Sequence, residues 1–489
     1  MRDDRRNARQ FQNTYPHYYP GKRIKTVTFI VTHQCNLRCS YCYETHKGDG
    51  KMSLETAQKC VDLLFSEDAK SRQAGGDMVQ RAVGDASQRA VGDASQRAGQ
   101  VSGPYDETLR TNAVGRDDLI APEARGLIND VDADGLIIEF IGGEPFLEIG
   151  LIRAIMDYFL DKAIALNHRW ATRYMINIST NGTLGDDPEV QAFMRDYAGR
   201  LSIGVTIDGD KQAHDACRVD CNGCGSYDRA IKMFREVSGP DGRRTTKYTI
   251  APGNLRLFAA SVRHLVLEEG VDTLNCNCVY EEGWTVDHAR ELYRQLKEVS
   301  DMVQASGTDT YISILDWEAG NHLPDTETQN WCGGDGRMLA FEIDGTVLPC
   351  MRYSTLSIAN RPLYRIGDVN CGIASHPEDR ARLDALRSIT RQSQSEQRCL
   401  DCPINSGCAW CTAYNYERTG TPNARVTYIC KMHWARVLAQ CYHHNRLHLL
   451  HPEHAPKKLN IPEDWALEIV SPEEWEALKE LEREAWRDD

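Results

Sequence analysis

Residues 26–42, TVTFIVTHQCNLRCSYC, decide the fold of this chain. The seven residues from 26 to 32 have the apolar and β-branched composition of a buried strand. A loop follows at once with Cys35, Cys39 and Cys42, which are separated by three and two residues. Three thiolates can hold three irons of a [4Fe–4S] cluster and leave the fourth iron open. Spacing alone leaves a zinc site or a redox pair as alternatives, although structural zinc normally has four ligands.

A regular alternation of strands and helices surrounds and follows this loop. We predict further strands at 136–141, 174–179, 201–207, 247–250 and 273–279, and helices at 52–65, 149–166, 188–197, 227–237, 255–269 and 286–299. Strands that alternate with helices form a parallel sheet or barrel, with the active site at the carboxyl ends of the strands. The sequence therefore predicts an α/β fold over residues 25–310.

The remaining segments differ in composition. Residues 1–24 are predicted to be a polar arm. Residues 66–134 contain a tandem repeat of QRAVGDAS and few large apolar side chains, so we predict a mostly disordered insertion. We place a second, cysteine-ligated domain at 311–435 and a partly helical, acidic tail at 436–489.

Composition limits the classes of function. The 489 residues are 41% hydrophobic, as in soluble globular proteins, and the net charge of −14 argues against a nucleic-acid partner. No apolar run approaches the roughly 20 residues of a membrane span, and the N-terminus lacks the apolar core of a secretory signal. We therefore expect a cytoplasmic protein without a membrane partner. In that compartment, 18 cysteines favour metal binding over disulfides.

Four motifs together resemble the radical SAM superfamily, whose members cleave S-adenosylmethionine (SAM). The first is the CxxxCxxC loop, with Tyr41 before its last cysteine. The others follow predicted strands and are Gly142-Gly143-Glu144-Pro145, Ser179-Thr180-Asn181-Gly182 and Thr206-Ile207-Asp208-Gly209, with His214-Asp215 and Arg218 downstream. Each short motif alone is also a common turn, but their order at successive strand ends is specific.

The resemblance implies a partial (β/α)6 barrel and a role for each motif. In the family, the GGEP segment receives the amino group of SAM, and the last two motifs approach its ribose and carboxylate. The residues expected to bind SAM are Tyr41, Gly142, Gly143, Glu144, Pro145, Ser179, Asn181, Thr206, Asp208 and Arg218.

The same resemblance implies the chemistry. The reduced cluster would pass one electron to SAM, giving methionine and a 5′-deoxyadenosyl radical that removes a hydrogen atom from an unactivated C–H bond. An electron donor such as a flavodoxin or ferredoxin is implied as a partner. No catalytic base is assigned; Tyr280, Glu281 and Glu282 qualify only by their position at a strand end.

A second group of cysteines lies between residues 332 and 430. Its close pairs indicate metal, with zinc as the alternative for this block taken alone. Its order resembles the SPASM extension of radical SAM enzymes, which binds two auxiliary [4Fe–4S] clusters. The resemblance implies a distal cluster held by Cys399, Cys402, Cys408 and Cys430, and a proximal cluster held by Cys332, Cys350 and Cys411.

Two departures from the family pattern concern the proximal cluster. Two residues separate Cys408 from Cys411, where the family usually has three, and no cysteine closely follows Cys332. Three thiolates leave one iron without a protein ligand, so we expect an open iron; the alternative is closure by Cys371 or another distant thiol.

Another triplet repeats the CxxxCxxC spacing. It consists of Cys217, Cys221 and Cys224, which form a fourth metal site, ordinary loop thiols or an oxidisable pair.

Resemblance also narrows the substrate. SPASM-bearing members mostly modify peptides, and stretches such as TIAPGN and VYEEGW look most like the peptide-maturase branch. We therefore expect a ribosomally made precursor peptide and a thioether or carbon–carbon cross-link. No winged-helix leader-binding domain is expected before the barrel.

Three alternatives remain for the function. The sulfatase-maturing branch, which forms formylglycine, carries an Asp beside the cysteine matching Cys350, where this chain has Met351. Peptide epimerisation is the second alternative. A non-catalytic zinc-binding module is the third, and it belongs to a different class.

Overall fold

A computed structural model describes residues 26–69, 135–237, 242–281, 283–316, 334, 338–404, 408 and 410–487. The predicted arm at 1–24, Cys332 and nearly all of the predicted insertion at 66–134 lie outside these ranges. Residues 66–69 were predicted to begin that insertion, but they complete the helix at 54–69 instead.

Eleven strands in the described part of the chain form one sheet, in the order β11-β10-β9-β8-β1-β2-β3-β4-β5-β6-β7. They are β1 (Thr26–Thr32), β2 (Leu136–Gly142), β3 (Tyr174–Thr180), β4 (Leu201–Thr206), β5 (Thr245–Ile250), β6 (Thr273–Cys278), β7 (Tyr311–Ile312), β8 (Met338–Phe341), β9 (Thr346–Leu348), β10 (Gly367–Asp368) and β11 (Gly372–Ile373).

Strands β1 to β6 are parallel and neighbour one another in sequence order. Helices in the connections cover the sheet, which keeps parallel strands buried. Strand β1 is buried at all seven positions, as its continuous apolar run predicts. This arrangement confirms the predicted α/β class and places the carboxyl ends of six strands at one face.

The helices follow the predicted pattern closely. They are α1 (54–69), α2 (Ile149–Ala165), α3 (Pro188–Asp196), α4 (Lys211–Cys217), α5 (Tyr227–Glu236), α6 (Phe258–Arg263), α7 (Val286–Ser306), α8 (Ser313–Asp316), α9 (Pro377–Arg387), α10 (Arg391–Gln394), α11 (Gln397–Leu400), α12 (Thr412–Thr419), α13 (Cys430–Leu450), α14 (Glu463–Ile469) and α15 (Pro472–Ala485).

One predicted helix, 255–269, is not continuous. A 3-10 turn precedes α6 and a wider π turn follows it. At this point the amide of Ala259 donates to the side-chain oxygen of Gln295 at 2.7 Å, a tertiary contact that periodicity cannot predict.

The second domain extends the barrel sheet instead of standing apart from it. Strand β8 pairs in parallel with β1 at the edge that β2 leaves free. The ring of Phe29 packs between those of Phe140, at 5.7 Å, and Phe341, at 5.2 Å. This pairing brings Glu342, just after β8, to His33 in the loop that follows β1, where the carboxylate oxygen lies 2.6 Å from Nε2 of the ring.

The predicted boundary at residues 435 and 436 falls inside α13, which runs unbroken from Cys430 to Leu450. This helix packs on α7, and α14 and α15 pack on it in turn. The acidic tail is thus joined to the barrel through one long helix. No helix in the described ranges is both long and apolar enough to cross a bilayer.

Candidate functional site

The loop after β1 carries the three predicted cluster cysteines and lies against the end of β2. The amide of Gly143 donates to the carbonyl of Thr32 at 3.1 Å. A Cβ atom on Gly143 would lie 2.1 Å from the carbonyl oxygen of Gln34 and 2.8 Å from Cβ of Cys35. A Cβ on Gly142 would lie 2.3 Å from the carbonyl oxygen of Thr32. Both glycines are therefore needed for this close backbone packing.

Glu144 joins the ends of two strands. Its Oε1 accepts from Thr180 Oγ1 at 2.7 Å and from the amide of Phe146 at 3.2 Å, and its Oε2 accepts from the amide of Asn181 at 2.8 Å. Burial raises the pKa of Glu144, and these donors oppose the shift. The adjacent Pro145 is buried and starts a 3-10 turn. Contact between Glu144 and the amino group of SAM stays a prediction.

Asn181, at the end of β3, contacts the cluster loop directly. Its Nδ2 donates to Asn36 Oδ1 at 2.8 Å and lies 4.0 Å from Cys35 Sγ. Asn36 in turn donates to Thr183 Oγ1 at 2.8 Å. The third predicted motif is thus held against the first by a chain of hydrogen bonds that runs from Asn181 to Asn36 and on to Thr183.

Three predicted SAM-binding residues meet in one buried cluster. The Tyr41 hydroxyl donates to Asp208 Oδ2. Arg218 Nε lies 2.8 Å from the hydroxyl oxygen of Tyr41 and 2.8 Å from Asp208 Oδ2. Asp208 is 1% exposed and Arg218 is 8% exposed. Burial raises the pKa of Tyr41 well above its usual range, so the hydroxyl keeps its proton. Asp208 Oδ1 is buried and has no hydrogen-bond partner among the described residues, which leaves an acceptor for a ligand.

Ser179 and Thr206 lie at the carboxyl ends of β3 and β4. The Nζ of Lys247 donates to Ser179 Oγ at 3.3 Å, and Lys247 is the register partner of Thr206 between β4 and β5. A lysine therefore lies beside both predicted residues. Sequence analysis assigned Lys247 only to a strand, because no motif surrounds it.

Lys47 is a second charged residue that the motifs did not reveal. Its Nζ donates to Cys42 Sγ at 3.3 Å. Burial alone would lower the pKa of Lys47, but Cys42 and Cys35 outweigh burial and raise it. Burial raises the pKa of Cys35 to about 11, which Lys47 opposes. The lysine places positive charge where a thiolate-bound group would be negative.

A second loop, residues 217–225, supports the cluster loop. The amide of Ser40 donates to the carbonyl of Cys217 at 2.9 Å. Cys217 is buried, whereas Cys221 and Cys224 are exposed. The backbone of Cys217 therefore braces the cluster loop, and a metal site at the triplet stays a prediction.

Four predicted auxiliary-cluster ligands surround one cavity. They are Cys399, on α11, Cys402 just after it, Cys408, and Cys430 at the start of α13. Burial raises the pKa of Cys408, and it raises the pKa of Cys430 to about 12. This set has the same members as the predicted distal-cluster set.

Cys399, Cys402, Cys408 and Cys430 line a cavity and do not converge on a single point. Within the described ranges, no three histidine, cysteine, aspartate or glutamate side chains converge closely enough to hold a metal ion. A [4Fe–4S] cluster places irons and sulfides between its thiolate ligands, so its ligands need not meet at one point. Four thiols around one cavity are a donor set that fits such a cluster.

The predicted proximal ligands are only partly described. Cys350 and Cys411 both lie near Tyr353, whose pKa is raised by burial and further by the two thiols. Cys332 lies outside the described residues. Cys371, the alternative ligand, is exposed in the turn between β10 and β11 at one edge of the sheet.

A second cavity, of about 230 Å³, opens between the cluster loop, the end of β6 and the second domain. Arg352 crosses it: its Nη2 donates to Glu281 Oε1 at 3.0 Å, and its guanidinium carbon lies 4.3 Å from the ring centroid of Tyr43. Tyr280 lines the cavity of the four thiols instead. The position of Glu282 lies outside the described residues.

Comparison by sequence gives limited information. No family model matches the chain. An uncharacterized protein of Methanocaldococcus jannaschii is 22% identical over 246 residues, which are 50% of this chain and 59% of that protein. The match thus spans less than two thirds of that relative.

Comparison by structure covers nearly the whole chain. Tagged anSMEcpe with bound AdoMet has a TM-score of 0.56 and 15% identity, covering 91% of this chain and 97% of that chain. Native anSMEcpe with bound AdoMet and a Cp18Cys peptide has a TM-score of 0.55 and 16% identity, covering 88% and 99%. Since anSMEcpe is a radical SAM enzyme with a SPASM domain, this chain has the fold of that class.

Proposed function

We propose that this protein is a radical SAM enzyme that modifies a peptide. The observation that carries the proposal is the convergence of three strand-end motifs on the loop of Cys35, Cys39 and Cys42. Glu144 links the ends of β2 and β3, and Asn181 contacts the cluster loop. Bound at this place, a reduced [4Fe–4S] cluster and SAM would supply a 5′-deoxyadenosyl radical.

The described residues fit the binding of SAM. Asp208 offers a buried acceptor atom without a partner in the described part of the chain, which suits a ligand hydroxyl such as those of ribose. Arg218, buried beside it, and Lys247, at the barrel mouth, offer positive charge for a carboxylate. These residues would orient the nucleoside and amino-acid ends of SAM, while the buried Glu144 maintains the loop that holds them.

We further propose two auxiliary [4Fe–4S] clusters. The distal cluster would be held by Cys399, Cys402, Cys408 and Cys430, which share one cavity. The proximal cluster would be held by Cys350, Cys411 and Cys332. Three clusters correspond to roughly twelve irons per chain.

The proposed peptide site is the cavity crossed by Arg352. The cavity lies between Tyr43, which follows Cys42, and helix α12, which follows Cys411. A bound peptide would therefore lie next to the segments that carry both cysteines. Its lining combines charged residues with tyrosines and backbone, as a polar chain requires. Support also comes from native anSMEcpe, whose structure contains AdoMet and a Cp18Cys peptide. The proposed product is a thioether or carbon–carbon cross-link, and the proposed electron donor is a flavodoxin or ferredoxin.

Formation of 5′-deoxyadenosine tests this function. Anaerobic protein incubated with SAM and dithionite should produce it, and Cys39→Ala should reduce the yield at least a hundredfold because one cluster ligand is lost. Cys60→Ala is the matched control, since Cys60 is a buried core thiol on α1. If the unaltered protein contains no iron and forms no 5′-deoxyadenosine, the proposal is wrong.

A further inference from the structure

The cavity of the four thiols contains positive charge as well as sulfur. Arg425 and His433 line it together with the cysteines, and both side chains are more than nine-tenths buried, at 9% and 7% exposure. The guanidinium of Arg425 lies over the ring of Trp410, 4.8 Å from its centroid. No carboxylate lines this cavity in the described part of the chain.

Several N–H donors at this place have no acceptor. Nε and Nη2 of Arg425, Nε2 of His433 and Nε of the nearby Arg436 are buried and have no hydrogen-bond partner within the described ranges. Leaving a buried donor unpaired destabilises the folded protein, and most strongly when the donor is charged. Three of these atoms belong to residues that line the cavity, which indicates that its occupant accepts hydrogen bonds and is negatively charged.

The positive charge lies close to the sulfur atoms. Arg425 lines the same cavity as the four thiols, and Arg436 follows Cys430 on α13. A buried positive charge near thiolates stabilises their negative charge.

We propose that Arg425, assisted by Arg436 and His433, raises the reduction potential of the distal cluster. The inference rests on the proposed function, which places a [4Fe–4S] cluster at these thiols. Reduction adds one electron, so positive charge and N–H donors stabilise the reduced cluster more than the oxidised one. Arg425 is a positioning and tuning residue in this proposal and does not contact substrate.

The test compares reduction potentials in full-length protein. Replacing Cys35, Cys39 and Cys42 with Ala removes the first cluster, so that only auxiliary clusters contribute to the EPR spectrum. In this background we expect Arg425→Gln to lower the ratio of reduced to oxidised distal cluster about tenfold at a fixed potential, which is 59 mV for one electron. Iron content should not change.

Arg398→Gln is the matched control. It removes the same charge near Cys430, but Arg398 is 66% exposed and pairs with Glu396 at 2.8 Å. Water screens that charge, so the potential should stay within error of the parent protein. Arg425→Lys keeps the charge and should retain most of the parental potential.

Two kinds of failure are distinguishable. If the parent protein contains no iron, the proposed function is wrong and this inference falls with it. If the clusters are present but Arg425→Gln and Arg436→Gln leave the potential unchanged, only the inference is wrong. If Arg425→Gln loses iron, the reduction potential of Arg436→Gln becomes the test. Arg436 does not line the cavity, so its replacement should leave the cluster in place.

Discussion

At the scale of single residues, buried side chains near the predicted ligands hold the backbone of the site in place. His214 shows this most clearly, because it fixes the backbone next to the predicted SAM residues. Its Nδ1 accepts from the amide of Asp208 at 3.2 Å, so Nε2 carries the proton and donates to Ser226 Oγ at 3.0 Å. The ring must be neutral to accept the first bond.

This arrangement predicts a pH dependence of stability. Burial, with help from Arg218, lowers the pKa of His214 from 6.5 to about 4. Between these values the unfolded chain binds a proton that the folded chain does not, so stability falls as the pH decreases below about 6.5. Between pH 7 and pH 5 the loss from this residue should be about 2 kcal/mol, which His214→Gln should remove.

Urea unfolding at the two pH values measures the effect. His451→Gln is the control, since that side chain is 58% exposed and lies at the end of α13. If His214→Gln loses as much stability as the parent protein between pH 7 and pH 5, the assignment of a neutral buried imidazole is wrong.

At the scale of elements, the site depends on how strand ends meet. The loop after β1 can approach the end of β2 only because Gly142 and Gly143 have no side chain. Sequence analysis identified these glycines through a family motif and their expected contact with SAM. The structure gives them a second role, which is to let two backbones touch.

Gly143→Ala should therefore disrupt the cluster loop. Its Cβ would meet the carbonyl of Gln34 at 2.1 Å, and backbone cannot yield as a flexible side chain can. We expect at least a tenfold loss of 5′-deoxyadenosine formation and reduced iron content, measured on anaerobically purified protein.

Gly150→Ala is the matched control for this substitution. No atom lies within 4 Å of the Cβ that it would add on α2. In a helix, Ala is favoured over Gly by roughly 0.5–1 kcal/mol, so the control should fold at least as well as the parent. Equal iron content and activity in both variants would contradict the packing argument.

At the scale of the whole molecule, the two predicted domains share one sheet and one cavity. Pairing of β8 with β1 places Glu342 beside the cluster loop, where its Oε1 lies 2.6 Å from Nε2 of His33. The same carboxylate accepts from the amide and hydroxyl of Thr355, both at 3.0 Å. The second domain is therefore fastened to the first loop of the barrel close to the proposed peptide site.

The cavity crossed by Arg352 leads to a prediction about the modified peptide. Co-expression with a candidate precursor peptide should yield peptide lighter by two mass units for each cross-link, measured by mass spectrometry. Arg352→Gln removes the charge that crosses the cavity, so we expect at least a tenfold lower yield of modified peptide. Arg380→Gln is the control, because Arg380 does not line this cavity and instead donates to the Ala374 carbonyl near the sheet edge. This variant should give the parental yield.

The mass also separates cross-linking from epimerisation. An unchanged mass would contradict cross-linking and leave epimerisation, which conserves mass. Equal yields from Arg352→Gln and the parent protein would contradict the placement of the peptide in this cavity.

The alternating elements and their order follow from local patterns in the sequence. Strand β1 is a continuous apolar run and helix α2 has an apolar face, while the resemblance of the later cysteines to a family pattern implied the set of four that lines one cavity. Both signals are local, so they can be detected without knowing which distant segments meet.

Which side chains surround the motifs is visible only in the folded chain. No pattern of spacing contains Lys47 beside Cys42, Lys247 beside Ser179 or the buried Arg425 beside the four thiols. The pairing of β8 with β1 is equally invisible, since it joins segments about 300 residues apart. The physical reason is that charge and packing act through space, and distances in space between remote residues exist only once the chain has folded.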